Sequence, residues 1–199
     1  MNKKVERGRA TREQLIEIAT PLFAGRGYED TSIEAVLQES GVSRGALYHH
    51  FAGKEGLFQA VHEAVAARID QEIALATRGA DGPVAALRAG CLTWVRLAGD
   101  PVVQRILLVD APAVFGWTRW REREEQHSLG MIKIALQAVS DVGRLPADLV
   151  TPFAHMLLAA LNEIAIVIAR ADDTDDATRE GEDAIEALLQ RLLVQTPGA

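Results

Sequence analysis

The sequence predicts an all-α protein, and three observations carry that reading. Ala, Leu, Glu, Arg and Gln, all good helix formers, dominate the composition. Most apolar residues recur three and four positions apart, the repeat of one helix face. No stretch stands out with the alternating pattern of a half-buried strand. The chain has 199 residues, enough to bury a sizeable core as one or two domains. Its 48% hydrophobic and 25% charged residues are those of an ordinary soluble protein.

About nine helices follow in order. The first is expected from about Ala10 to Gly25, with Thr11 and Gln14 as a capping box and a kink near Thr20 caused by Pro21. Thr31 and Glu34 stand at capping-box spacing ahead of a short helix whose stripe is Ile33, Val36 and Leu37. Ser40-Gly41 ends it, because glycine accepts the left-handed conformation common at helix ends. Ser43 caps a second short helix in which Leu47 faces inward, with Phe51 just beyond it. A long helix follows from about Lys54 to Thr77 and breaks at residues 78–83. A fifth reaches Ala98 and a sixth covers about 101–109, started by Asp100-Pro101. Residues 110–117 read as irregular. The seventh spans about 118–142, the eighth runs to about Arg170, and the ninth covers about Ala177 to Val194.

Two short helices joined by a glycine-containing turn form a helix-turn-helix, whose second helix reads base edges in the DNA major groove. The net charge of −7 sits entirely outside this region. Residues 1–52 hold seven basic and seven acidic side chains, and the remainder holds 14 basic and 21 acidic. The first twelve residues carry five basic and one acidic, either a basic arm for phosphates or a solvated tail.

The ordered set Gly41-Val42-Ser43, Leu47-Tyr48-His49-His50-Phe51 and Lys54-Glu55-Gly56-Leu57, preceded by Ile16, Ala19, Leu22-Phe23 and Gly27-Tyr28, resembles the DNA-binding domain of the TetR (tetracycline-repressor-like) family of bacterial regulators. The match covers about residues 10–60. The resemblance implies a DNA-binding domain over residues 1–53, and a helical ligand-binding and dimerisation domain over 54–199. It implies a homodimer formed by the last two helices, at about 152–170 and 177–194. A two-fold dimer presents its reading helices about 34–36 Å apart, so the operator should be a partial palindrome.

Carried over by motif, the DNA contacts are Thr31, Ser32, Ser43, Arg44, Gly45, Ala46, Tyr48, His49, His50 and Lys54. Arg44 is the best base reader, because a guanidinium bonds guanine O6 and N7 together. Thr31 and Ser32 at a helix start, with His50 and Lys54, suit phosphates. In the family the body encloses an effector pocket; the candidates here are Trp94, Phe115, Trp117, Trp120, His127, Met131, His155 and Asn162, with Glu163 beside the last. Aromatic walls with a few polar groups suit an apolar ligand. The same residues also suit a plain core.

Enzyme chemistry finds no support: there is no Gly-rich phosphate loop, no Gly-x-Ser-x-Gly and no His-Glu-x-x-His. The histidines at 49, 50, 62, 127 and 155 lack zinc-site spacing, so neither metal nor cofactor is expected. Cys91, the only cysteine, excludes an internal disulfide and reads as a small core residue. No uninterrupted apolar run reaches membrane length, no secretory signal opens the chain, and a cytoplasmic location is expected. Two functions follow: a ligand-responsive regulator, most simply a repressor, or a helical small-molecule binder or enzyme that keeps the fold without using DNA.

Overall fold

The computed structural model describes residues 3–193, and the side chains of residues 3–5 and 123–127 lie outside that description. Among the described residues there is no strand. The helices are α1 (Lys3–Asp30), α2 (Ile33–Ser40), α3 (Arg44–His50), α4 (Gly53–Thr77), α5 (Gly82–Leu97), α6 (Pro101–Val103), α7 (Ala111–Phe115), α8 (Trp117–Asp141), α9 (Val150–Arg170) and α10 (Thr174–Leu192). A π-helical turn (Gln104–Asp110) joins α6 to α7, and a 3₁₀ turn (Ala147–Leu149) leads into α9.

These elements form two compact units. The first comprises Met1–Arg68 together with Pro101–Gly116. Leu15, Ala19 and Phe23 of α1, Val36 of α2, Leu47 of α3 and Leu57, Phe58 and Val61 of α4 are buried in it. An aromatic cluster ties this core together: Phe58 meets Phe23 at 5.2 Å, Tyr28 at 5.1 Å and Phe115 at 5.7 Å between ring centres. Edge-on and tilted pairs of this kind add to the plain burial of the rings.

The first helix departs from expectation in three ways. It begins at Lys3, so the basic residues at 3–9 are its first turns rather than a loose arm. Thr11 is mid-helix and donates to the Arg7 carbonyl, so it caps nothing. The one non-helical residue inside it is Gly27 (φ 81°, ψ 170°), not the turn before Pro21. Gly27 cannot be replaced without strain, since a Cβ there would lie 1.8 Å from the Arg105 guanidinium. Its backbone turn leaves the Tyr28 N–H without a helical acceptor, and the buried Asp110 carboxylate accepts it at 2.7 Å. Arg105 Nε also donates to Asp110, at 3.2 Å. The segment expected to be irregular is therefore mostly helical and clamps the end of α1.

The second unit comprises Ile69–Asp100 together with Trp117–Ala199. Its core includes Leu87, Cys91 and Val95 of α5, Leu136 and Val139 of α8, Leu157, Leu161, Ala165 and Ile168 of α9, and Ile185 and Leu189 of α10. Gly181 lets α10 approach closely, because a Cβ there would meet Ile164 at 2.8 Å. Arg96 and Arg88 of α5 pair with Glu182 and Glu186 of α10.

The stretch Ala147–Arg170 is long and apolar enough to cross a membrane by length and composition, with a mean hydropathy of 1.7, which corrects the expectation that none is. A third of that window is buried within the chain. Here α9 packs between α8 and α10, and burial against both explains its apolarity.

Candidate nucleic-acid interface and effector cavities

The α2–α3 unit is fixed by local hydrogen bonds. Ser32 caps α2, its hydroxyl accepting from the Ala35 N–H at 3.1 Å. Gly41 adopts φ 65° and its N–H donates to the Leu37 carbonyl. Ser43 caps α3, accepting from the Ala46 N–H at 3.2 Å. The cap of α2 is thus one residue later than expected, and Thr31 has another task. Thr31 is 1% exposed, and its hydroxyl bridges the Leu22 and Gly27 carbonyls while its N–H donates to Tyr28. Both donors are committed internally, so the expectation that Thr31 grips a phosphate is not met; Ser32 remains exposed.

With Leu47 buried, α3 turns Ser43, Arg44, Gly45, Tyr48 and His49 outward, while Ala46 and His50 are half-buried. Tyr48 is 51% exposed, which leaves a large aromatic side chain in water. Nothing lies within 4 Å of a Cβ built on Gly45. Arg44 is tethered: its Nη2 donates to Glu34 Oε1 at 2.5 Å. Glu34's backbone hydrogen bond and Arg44's side chain hold the Glu34 carboxyl below the usual carboxylate range. Glu34 is the member of this surface that sequence reasoning missed, having been assigned to a cap. Lys54 Nζ donates to the Glu29 carbonyl at 3.0 Å and sits 4.3 Å from the Tyr28 ring centre, so in this state it closes the end of α1. Burial first, then Glu55 and Glu29, pushes the Tyr28 phenol above its ordinary value.

Two of the cavities in the second unit are neighbours. One, of about 150 Å³, is mostly apolar and is lined by Ile69, Asp70, Ile73 and Thr77 of α4, Ala86, Leu87, Gly90, Cys91 and Trp94 of α5, Ser128, Met131, Ile132 and Ala135 of α8, and Leu158, Leu161 and Asn162 of α9, with Asp70 its one charged residue. The Trp94 indole N–H donates to the Leu161 carbonyl at 3.3 Å, which holds the ring as a wall. Burial pushes the Cys91 thiol up to about 12, so it is a neutral wall group. The other, of about 210 Å³, is polar and lies between α8 and α9, lined by Trp117, Trp120, Arg121, His155, Leu158, Ala159, Asn162, Glu163 and Ile166. Leu158 and Asn162 border both.

Of the aromatic and polar candidates in the body, Trp94, Met131 and Asn162 meet at the apolar cavity, and Trp117, Trp120, His155 and Asn162 at the polar one. Phe115 lines neither; it is buried in the first unit against Phe58 and His62. The His127 side chain lies outside the described residues. The aliphatic walls from α4 and α5 went unpredicted. Their only signal was apolar helical spacing, which core residues share. Among the described residues no cluster of His, Cys, Asp or Glu could hold a metal ion.

An exposed, capped recognition helix with an arginine at its start, in an all-α chain, defines a helix-turn-helix DNA-binding transcription regulator. Residues 15–61 match the bacterial regulatory proteins of the tetR family, and residues 84–192 match the tetracyclin repressor-like C-terminal domain. The chain belongs to the TetR family. It is 25% identical, over 91% of its length and 93% of the relative's, to the HTH-type transcriptional repressor AcnR of Corynebacterium efficiens. A TetR-family transcriptional regulator from Pectobacterium atrosepticum superposes with a TM-score of 0.83 and 29% identity, over 98% of this chain and 99% of that one. The fold also matches AibR, solved in complex with isovaleryl coenzyme A and operator DNA, with a TM-score of 0.61 and 20% identity over 92% and 98% of the two chains.

Proposed function

We propose that this regulator is a homodimeric, ligand-released repressor, in which residues 1–53 read DNA and residues 54–199 carry effector binding and dimerisation. The carrying observation is the apolar cavity enclosed by α4, α5, α8 and α9, with the Trp94 ring fixed in its wall. A small molecule that binds one conformation better than another shifts the equilibrium by that difference in affinity, and here the favoured state is the one that leaves the operator. AibR, solved with both a coenzyme A thioester and its operator, is a precedent for both partners on this fold.

Dimerisation rests on the outward side of α9. Met156 is 59% and Val167 55% exposed, with Ala159 and Glu163 exposed between them, while Leu157, Leu161, Ala165 and Ile168 are buried in the same helix. A mostly apolar stripe, interrupted by Glu163, on the outside of a helix already packed on its inside suits a partner helix. The operator is then a partial palindrome with Arg44 reading guanine and Tyr48, His49 and Ser43 completing the contact.

The test is titration of the full chain onto DNA from upstream of its own gene, followed by fluorescence anisotropy with excess nonspecific competitor at several salt concentrations. Saturable binding by two chains, or a multiple, with affinity falling as salt rises, is expected. An affinity indifferent to salt and abolished by competitor would contradict the reading.

A further inference from the structure

Two adjoining cavities of the second unit differ in chemistry, and that contrast bears on the class of effector. The apolar one offers almost no polar surface and has the volume of a known dry cavity that takes up benzene, about 150 Å³. The polar one is lined by Trp120, Arg121, His155 and Glu163. Trp120 is 7% exposed, and its buried indole N–H has no acceptor among the described residues. An unmatched buried donor is costly, and a ligand oxygen would relieve it. Asn162 stands at the border of both cavities and brings an amide donor there.

Resting on the effector reading above, we propose that the effector is a compact amphiphile. Its apolar end, about the size of a benzene ring, fills the cavity against Trp94 and Cys91. Its carbonyl or carboxylate oxygen accepts from Trp120 Nε1 and the Asn162 amide. Arg121 and Glu163 bring one charge of each sign to its lining, so a neutral carbonyl or a single carboxylate suits this cleft better than a phosphate.

Three probes with one body test this by isothermal titration calorimetry on the full chain: 3-phenylpropanoate, 3-phenylpropanamide and n-propylbenzene. The acid and amide should each bind about tenfold tighter than the hydrocarbon. Trp120→Phe, which keeps the ring and removes the donor, should erase most of that advantage and leave n-propylbenzene unchanged; Asn162→Leu should act in the same sense. The acid and amide arms separate a charged head from a neutral one. Ala86→Phe, at a half-exposed position of the apolar wall, should abolish all three. Matching circular dichroism melts check that each variant folds. If Ala86→Phe removes binding but Trp120→Phe and Asn162→Leu change nothing, the amphiphile proposal is overturned while the effector cavity stands. If Ala86→Phe has no effect, or none of the probes binds, the cavity reading falls and the proposal with it.

Discussion

The candidate DNA-reading surface and the proposed effector cavities are built on opposite plans. On the first, the outward side chains lie within the seven residues Ser43–His49, and the scaffold beneath them is a short chain of caps and buried apolar side chains. In the second, the walls come from α4, α5, α8 and α9, spread over residues 69–162, and almost every wall residue could equally be core. The difference is one of range. A recognition helix is specified by contacts three or four residues apart, whereas a cavity is what remains after distant helices fail to fill the space between them.

That contrast also governs what was legible in the sequence. Gly41, Ser43, Leu47 and the outward set of α3 follow from local rules and fall where those rules put them. The miss at Thr31 has a local cause. Two adjacent hydroxyl residues can each cap α2, and the choice of Ser32 is made by the nonlocal bonds of Thr31 to the Leu22 and Gly27 carbonyls. The helix expected to end at about Gly25 turns out of helical geometry at Gly27, where Arg105 and Asp110, about eighty residues away in the chain, reward it. Phe115 looked like a pocket aromatic because its neighbours in sequence are tryptophans; its neighbours in space are Phe58 and His62. In the body, the sequence names the tryptophans but does not sort them between the two cavities, because that sorting is set by how α5, α8 and α9 pack against one another.

Substitutions on each side sharpen the contrast. The largest effect is expected at Asp110, on the scaffold beneath the reading surface. Asp110→Ala strands the half-buried Tyr28 N–H and should lower stability by about 1–3 kcal/mol in urea denaturation; a loss under 0.5 kcal/mol would mean that the clamp on α1 is incidental. Arg44→Ala touches only the surface. Operator affinity should fall about tenfold to a hundredfold with an unchanged melting temperature, since its partner Glu34 is exposed and is left solvated. Gly45→Ala separates the two properties further. The free protein has room for the methyl group and should gain about 0.5–1 kcal/mol, while DNA affinity should drop if α3 lies in the groove.

The smallest effect belongs to the cavity wall. The raised Cys91 pKa means that the folded state holds its thiol proton above the unfolded value of about 8.5. The associated stability is complete below that pH and is lost as pH rises toward about 12. Cys91→Ala should therefore show a shallower alkaline loss of stability than the parent protein, and Cys91 should resist alkylation at neutral pH until the chain unfolds.

The most direct test of the central claim is selection of binding sites from random DNA by the purified full chain, run in parallel with Arg44→Ala. The account predicts a partly palindromic consensus with half-sites one helical turn or a multiple apart, each containing a guanine whose enrichment disappears in Arg44→Ala. An unenriched pool, or a consensus identical in both proteins, would contradict it.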